Sequence, residues 1–430
     1  MYQITKTESG IKFITHEIPN SQTVHIEVEV EAGSKYCPDG QEGISHFTEH
    51  MVMNGSTQYP SGLAVRRAID NLGGYINAST GTEIANYRLR VASEDFITGT
   101  DVLFSFLSAP LLSQKEQGGE QRIILEEIAK ANDSLPSRIG NATFSLIFGK
   151  HPLAYPVLGY QETIRKIRNE DVKMFFQHFY SPSRIVVATS GKVSHNQLVD
   201  AVGKYFGKNP PPTSPSYAEF TPRKDGPKVQ ILDEKTQQTH LFLAFLGKVQ
   251  SPKEMAVWKI LTRVLSGTNR LFERLREKEN LTYDISVKSF TTKDVMGIFI
   301  TGGFPLQKTE RSLAVICEEL TKVCTSLVGE EELARTQKIL EVGQLFRLED
   351  PEEWIDLALY TNWLFGDPLD PQTYIKELKE VKAEQIRELA RKIFRPQNVY
   401  LVATPSKLNA EELQKILKNG FCLQDTRGTN

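Results

Sequence analysis

Three side chains with the means to do chemistry fall within five residues of one another: His46, Glu49 and His50, in the stretch GISHFTEHMVMNGS (residues 43–56). The stretch lacks proline and β-branched runs, and Ile44, Phe47 and Met51 recur at helical spacing, so it predicts a helix. Residues four apart on a helix stack on one face, which aims the imidazoles of His46 and His50 at one point. Imidazole nitrogens bind Zn²⁺ at about 2.0–2.1 Å, and a catalytic zinc site takes three protein ligands while leaving a fourth position open. Glu49, beside His50 and one turn from His46, would bring a carboxylate to that open position, where it could move a proton. The same three residues could equally be polar groups satisfied at a helix surface. A third ligand elsewhere in the chain separates the two readings.

The stretch QKEQGGEQRIILEEIAKAND (residues 114–133) offers carboxylates on a helical pattern. Glu120 and Glu127 are two turns apart and share a face, with Ile123, Ile124 and Ile128 close to it, so that face points inward. A carboxylate on an apolar face is costly unless it is paired or metal-bound. Glu126 is rotated by about 100° and is expected in solvent. Gly118 and Gly119 each weaken a helix by about 1 kcal/mol relative to Ala, so the helix is expected to begin near Glu120. Taken alone, the stretch also fits an ordinary charged helix.

The elements that must hold these residues repeat once along the chain. IRKIRNEDVKMFFQHFYSPSRIVVATSGKV (residues 164–193) reads as helix, proline turn and strand, and LKEVKAEQIRELARKIFRPQNVYLVATPSK (residues 378–407) repeats that order. Val187-Ala188-Thr189 and Val402-Ala403-Thr404 lie 215 residues apart, half of the 430-residue chain. Each half opens with an alternating strand, TVHIEVEVEAG (23–33) and THLFLAFLG (239–247), followed by an apolar helix that runs into Gly55 or Gly267. The order at one spacing indicates a duplication. The expected fold class is α+β, with two homologous halves, each a largely antiparallel sheet packed against helices. The expected domains are residues 1–209, a proline-rich linker at 210–227, and residues 228–430. Aligning Gly55 with Gly267 sets HFTEH against WKILT (258–262), so the second copy keeps the helix without the ligands. The helix therefore does not need histidines in order to fold.

Composition narrows the classes of function. A net charge of -2 and no basic stripe argue against nucleic-acid binding. No stretch approaches the roughly 20 apolar residues that span a bilayer, and the opening residues carry neither a signal-peptide nor a transit pattern. Cys37, Cys317, Cys324 and Cys422 are scattered with no CxxC pair, which fits a reduced compartment. These features together lead to the expectation of a soluble, cytoplasmic protein.

His46-Phe47-Thr48-Glu49-His50, with Glu127 lying 77 residues beyond the second histidine and Glu120 seven before that, resembles the pitrilysin and mitochondrial-processing-peptidase family of inverted-motif zinc peptidases. The likeness extends over the duplicated halves, the HPLAYPVLG segment (151–159) and RLFERLREKENLTYDISV (270–287). It implies one zinc ion per chain held by His46, His50 and Glu127. Glu49 would be the base that takes a proton from the zinc-bound water and later protonates the leaving amine, and Glu120 would orient a ligand. It also implies that a strand carrying Asn77 and Ala78 pairs with an extended peptide substrate, and that Arg276 and Tyr283 contact the substrate main chain. Ser79, Ala154 and Asn280 depart from the family pattern; Asn280 stands where glycine is usual, and Asn tolerates positive φ.

The chain's size resembles the short members of the family, in which two chains form a clamshell. Zinc set and Arg/Tyr pair lie in one chain, so the expected assembly is a homodimer in which each site is completed by Arg276 and Tyr283 of the second copy; a related subunit could replace that copy. The implied activity is endopeptidase action on short or unfolded peptides in an enclosed chamber. The alternatives are a non-catalytic assembly subunit of the same fold and a peptidase dedicated to one precursor.

Overall fold

A computed structural model describes residues 2–206, 217, 219–223, 225–405 and 407–421. Cys422 and Pro210, Pro211, Pro212 and Pro215 of the proline-rich segment lie outside the described residues. The strands are β1 (Gln3–Lys6), β2 (Lys12–Glu17), β3 (Thr23–Val30), β4 (Tyr75–Thr80), β5 (Ala85–Ala92), β6 (Ile185–Gly191), β7 (Lys228–Ile231), β8 (Thr239–Gly247), β9 (Asp284–Thr291), β10 (Met296–Phe304) and β11 (Val399–Thr404). They form two sheets, in the orders β1-β2-β6-β3-β5-β4 and β7-β11-β8-β10-β9. Each sheet has one parallel pair, β2 with β6 and β7 with β11, and the remaining pairs are antiparallel. With β1 set aside, the two orders coincide strand for strand, parallel pair included. The fold is α+β with homologous halves, and Val187-Ala188-Thr189 and Val402-Ala403-Thr404 occupy the equivalent strands β6 and β11.

The alternation in β3 places Val24, Ile26, Val28 and Val30 in the core of the first unit, where they meet Ile44, Phe47, Met51 and Val52 from the helix Ile44–Met53. The equivalent helix of the second half, Pro252–Leu265, buries Trp258, Ile260 and Leu261 instead. Among the described residues, no helix is long and apolar enough to cross a membrane.

The compact units cross the repeat. The first takes the chain up to Ser134, resumes at Lys150 and adds Arg347–Asp370; the second takes Leu135–Gly149, Glu219–Phe346 and the chain from Pro371. The helix Leu135–Phe148 thus serves the second unit, where Phe144 packs at 5.8 Å from Phe290 and 6.1 Å from Phe299 between ring centroids. The helix Pro351–Phe365 serves the first, burying Ile355, Ala358 and Leu359 with Ile14 and Ala188. Both helices hold the same place in the repeat, so the halves have traded the same element.

The traded helix in the first unit covers the polar face of β3. His25 is only 3% exposed, and Glu27 is buried beside it. Arg88 joins the layers, donating to Glu27 Oε1 through Nε (3.2 Å) and Nη2 (3.1 Å) and to Glu352 Oε1 through Nη1 (3.0 Å). His16 stacks on Trp354 at 3.9 Å, and the Tyr2 hydroxyl donates to the Trp354 carbonyl at 2.5 Å.

Asp356 enters this cluster beside Glu27. Burial first, and then the neighbouring Glu27 charge, raise its pKa from 3.8 to about 7, although Arg88 pulls the other way. A carboxyl with a raised folded-state pKa stabilises the fold through its proton. That contribution is present in full below the unfolded-state pKa near 4 and is lost as pH rises to about 7. The Asp356→Asn variant is expected to gain on the wild type as pH rises, its melting temperature exceeding the wild type's by more at pH 8 than at pH 5.5. Thermal unfolding followed by circular dichroism at both pH values checks this; an equal difference at the two would count against it.

Candidate functional site

The site grows from the start of the helix Ile44–Met53. Gly43, its N-cap, has φ 95°, and a Cβ there would lie 2.7 Å from the Leu158 carbonyl oxygen and 2.9 Å from Gly159 Cα. Only glycine allows the helix to start this close to the 156–159 loop. Ser45 donates to the Ala32 carbonyl and Thr48 to that of Ile44 (2.7 Å), so the polar residues on the buried side are satisfied.

His46 and His50 lie one above the other, with ring centroids 4.6 Å apart. Glu127 reaches both: its Oε2 is 3.7 Å from His46 Nε2 and 3.8 Å from His50 Nε2. One donor atom from each of the three residues falls within 4.8 Å of the others. Donors held at 2.0–2.2 Å from a tetrahedral centre stand about 3.4 Å apart, so a small inward movement would seat a cation. Glu127 Oε2 and His46 Nδ1 are buried with no hydrogen-bond partner among the described residues. An orphaned carboxylate oxygen facing two imidazole nitrogens fits a divalent metal.

Glu120 completes the cluster from behind. The helix Gln114–Asp133 starts earlier than expected, at Gln114, where the Ser113 hydroxyl accepts from the Lys115 amide, and it runs through Gly118 and Gly119. The cost of the two glycines is met by anchors on either side: Gln117 donates to the Ile167 carbonyl and Gln121 to that of Ile164, both at 2.9 Å. Glu120 therefore sits on a formed helix, accepting from His50 Nδ1 at 2.8 Å and from Asn54 Nδ2 at 2.9 Å. The bond to Nδ1 leaves His50 Nε2 facing Glu127. Ile124 and Ile128 are buried and Glu126 is exposed, as the pattern implied, but Ile123 is 45% exposed and does not belong to the inward face.

Glu49 is 7% exposed, and its Oε2 accepts from Thr80 Oγ1 at 2.8 Å. Burial raises its pKa, against the Thr80 hydrogen bond and the His50 charge. Burial and then His50 lower the His46 pKa to about 3, which keeps that ring neutral. Burial also acts to lower the pKa of His50, but the Glu120 hydrogen bond and the surrounding carboxylates raise it overall. Glu120 goes the other way: burial opposes its charge, and the bonds from His50 and Asn54 outweigh it to lower the pKa.

Asn77 and Ala78 lie on β4, the outermost strand of its sheet, paired on one side with Arg88 and Tyr87 of β5. They line the same cleft of about 430 Å³ as His46, Glu49, His50, Glu120 and Glu127, together with Ser79, Thr80, Arg66, Val157 and Leu158. Thr80 and Asn54 are site residues to which sequence reasoning assigned no role. The period-two pattern of β4 puts Thr80 on the face of Ala78, which was the available signal; nothing marked Asn54.

Arg276 and Tyr283 lie in the second unit and are brought together there. The Arg276 guanidinium sits 4.5 Å from the Tyr283 ring centroid and 4.9 Å from that of Phe272. Arg276 belongs to a π-helical turn, Glu273–Lys278, and Asn280 adopts φ 49°, the positive value that its place in the glycine position requires. Tyr283 is 82% exposed.

Two family profiles match in tandem: "Insulinase (Peptidase family M16)" over residues 12–161 and "Peptidase M16 inactive domain" over residues 166–340. The chain belongs to the M16 peptidase family. Among its relatives is an uncharacterized zinc protease of Streptomyces coelicolor, 26% identical over 90% of this chain and 86% of its own. The Bacillus subtilis zinc protease YmxG is 26% identical over 93% and 97%. A protease structure from Helicobacter pylori shares the fold with TM-score 0.86 at 18% identity, covering 94% of this chain and 99% of that one. So does a chain of complex III₂ from Candida albicans, with TM-score 0.81 at 14% identity over 97% and 99%.

Glu120→Ala is expected to weaken zinc binding about 10- to 100-fold, because His50 loses the group that sets its orientation. Competition against a coloured chelator measures this, and wild-type affinity in the variant would exclude the role.

Proposed function

We propose that this protein is a zinc endopeptidase acting on short or unfolded peptides bound in extended form. The observation that carries the reading is the convergence of His46, His50 and Glu127 beside a buried Glu49, in a cleft bordered by an edge strand. Zinc held by those three residues would supply Lewis acidity to polarise the scissile carbonyl. Glu49 takes a proton from the attacking water and returns it to the leaving amine. A buried carboxylate with a raised pKa suits that two-way transfer, and Thr80 keeps its oxygen aimed into the cleft. β4 offers main-chain groups to a substrate strand, so affinity is sequence-tolerant while alternate pockets set preference. Ser79 makes the adjoining pocket roomier. Arg276 and Tyr283 present a guanidinium and a phenol, groups suited to a substrate carbonyl and to the oxyanion that develops on it.

The assembly we propose is a homodimer in which Arg276 and Tyr283 of a second copy complete each site, with a related subunit as the other arrangement. A non-catalytic role has support in the fold shared with a complex III₂ chain and in the profile matched by the second half. The intact set of His46, Glu49, His50, Glu120 and Glu127 favours catalysis over it. A peptidase dedicated to one precursor would use the same chemistry and differ only in substrate.

Glu49→Gln is expected to keep its zinc while hydrolysis of a mixed peptide library falls at least 100-fold, the range for removing a positioned acid–base group. Metal analysis and mass spectrometry of the products check this together; undiminished cleavage would remove Glu49 as the base. For the dimer, mixing Glu49→Gln with Arg276→Ala should restore activity that neither variant has alone, since hybrid dimers hold one complete site. A fully active monomer in sedimentation would defeat that assembly.

A further inference from the structure

We infer that Asn54 is a positioning residue for the metal site, acting through Glu120. This inference rests on the reading that His46, His50 and Glu127 hold a divalent cation. Asn54 follows the last turn of the helix Ile44–Met53 with φ -78° and ψ 7°, values open to any residue. The chain reversal is made by the next residue, Gly55, at φ 105°, where a Cβ would meet the Tyr59 carbonyl oxygen at 2.1 Å. The backbone therefore makes no demand for asparagine at position 54, and its carboxamide is available for other work.

That carboxamide points its donor at Glu120. Its Oδ1 lies against Gly62, where a Cβ would stand 2.9 Å away, and its Nδ2 donates to Glu120 Oε1 at 2.9 Å. The other oxygen of Glu120 accepts from His50 Nδ1 at 2.8 Å. A carboxylate with one anchored oxygen can still turn about its side-chain torsions; with both anchored, its plane and position are set. Asn54 supplies the second anchor. The relay runs from Asn54 through Glu120 to the ring of His50, whose Nε2 faces Glu127. Outer groups that orient a ligand tune metal affinity without touching the metal.

Without Asn54, Glu120 has an unpaired, half-buried oxygen seven residues before Glu127 on the same helix. It would be free to turn away from His50 or to move towards the cation. Asn54 thus holds Glu120 to the role of orienting the imidazole and keeps it out of the ligand set, so that the cation keeps three protein ligands and an open position.

The test is a double-mutant cycle read by zinc affinity in chelator competition, with thermal unfolding of the metal-free proteins in parallel. Asn54→Leu keeps the side-chain shape and removes the donor; it should weaken zinc binding about tenfold with little change in the metal-free melting temperature. Glu120→Ala and the double variant Asn54→Leu with Glu120→Ala should bind zinc alike, because the two residues act as one chain. Wild-type affinity in Asn54→Leu, or losses that multiply in the double variant, would overturn the inference while leaving the metal site intact. A wild type that takes up no zinc would bring down the metal reading itself, and this inference with it.

Discussion

Three carboxylates and two imidazoles share one half-buried cleft, and the Arg66 guanidinium that also lines it leaves an excess of negative charge that is electrostatically unfavourable without a further cation. Much of the first unit can be understood as a way of bearing that load. Glu120 is held by donors from His50 and Asn54, and Glu49 by a donor from Thr80. Glu127 Oε2 faces the two histidines and has no hydrogen-bond partner among the described residues. Glu120 and Glu49 are paired through hydrogen bonds, and the carboxylate oxygen left without one, Glu127 Oε2, is the one a cation would claim. The supporting elements are rigid ones, a helix started at a glycine that nothing else can replace and an edge strand fixed in register by β5.

The second half shows what the same frame does when relieved of chemistry. Its equivalent helix turns Trp258, Ile260 and Leu261 into a core where the first half keeps a polar cleft. Apart from the extra strand β1, the sheet order is the same in the two. Duplication thus left one copy free to specialise in packing and in the Arg276–Tyr283 pair, whose π-helical turn and positive-φ Asn280 mark a locally unusual backbone.

Much of this was legible in the residues. Helical spacing brought His46 and His50 together, the seven-residue interval put Glu120 and Glu127 on one face, and the Val-Ala-Thr repeat located the equivalent strands. Local rules failed where tertiary contacts outvoted them. Gly118 and Gly119 did not delay the helix, because Gln117 and Gln121 anchor it on both sides. Asn54 carried no sign of its partner, since a single asparagine at a helix end reads as ordinary capping. The parallel strand pairs and the traded helices were invisible for a deeper reason: they depend on which of two similar surfaces a segment chooses, and periodicity does not encode that choice.

The traded helices bear on how the molecule comes into being. Tyr2 waits for a bond to a carbonyl 352 residues further along the chain. During synthesis, the polar face of β3 and β5 stands uncovered until the helix Pro351–Phe365 has emerged, carrying Glu27 and Arg88 in open water where their charges are harmless. An apolar face in that position would invite aggregation during the wait. The buried ionic layer is then intelligible as a surface that must be soluble early and covered late.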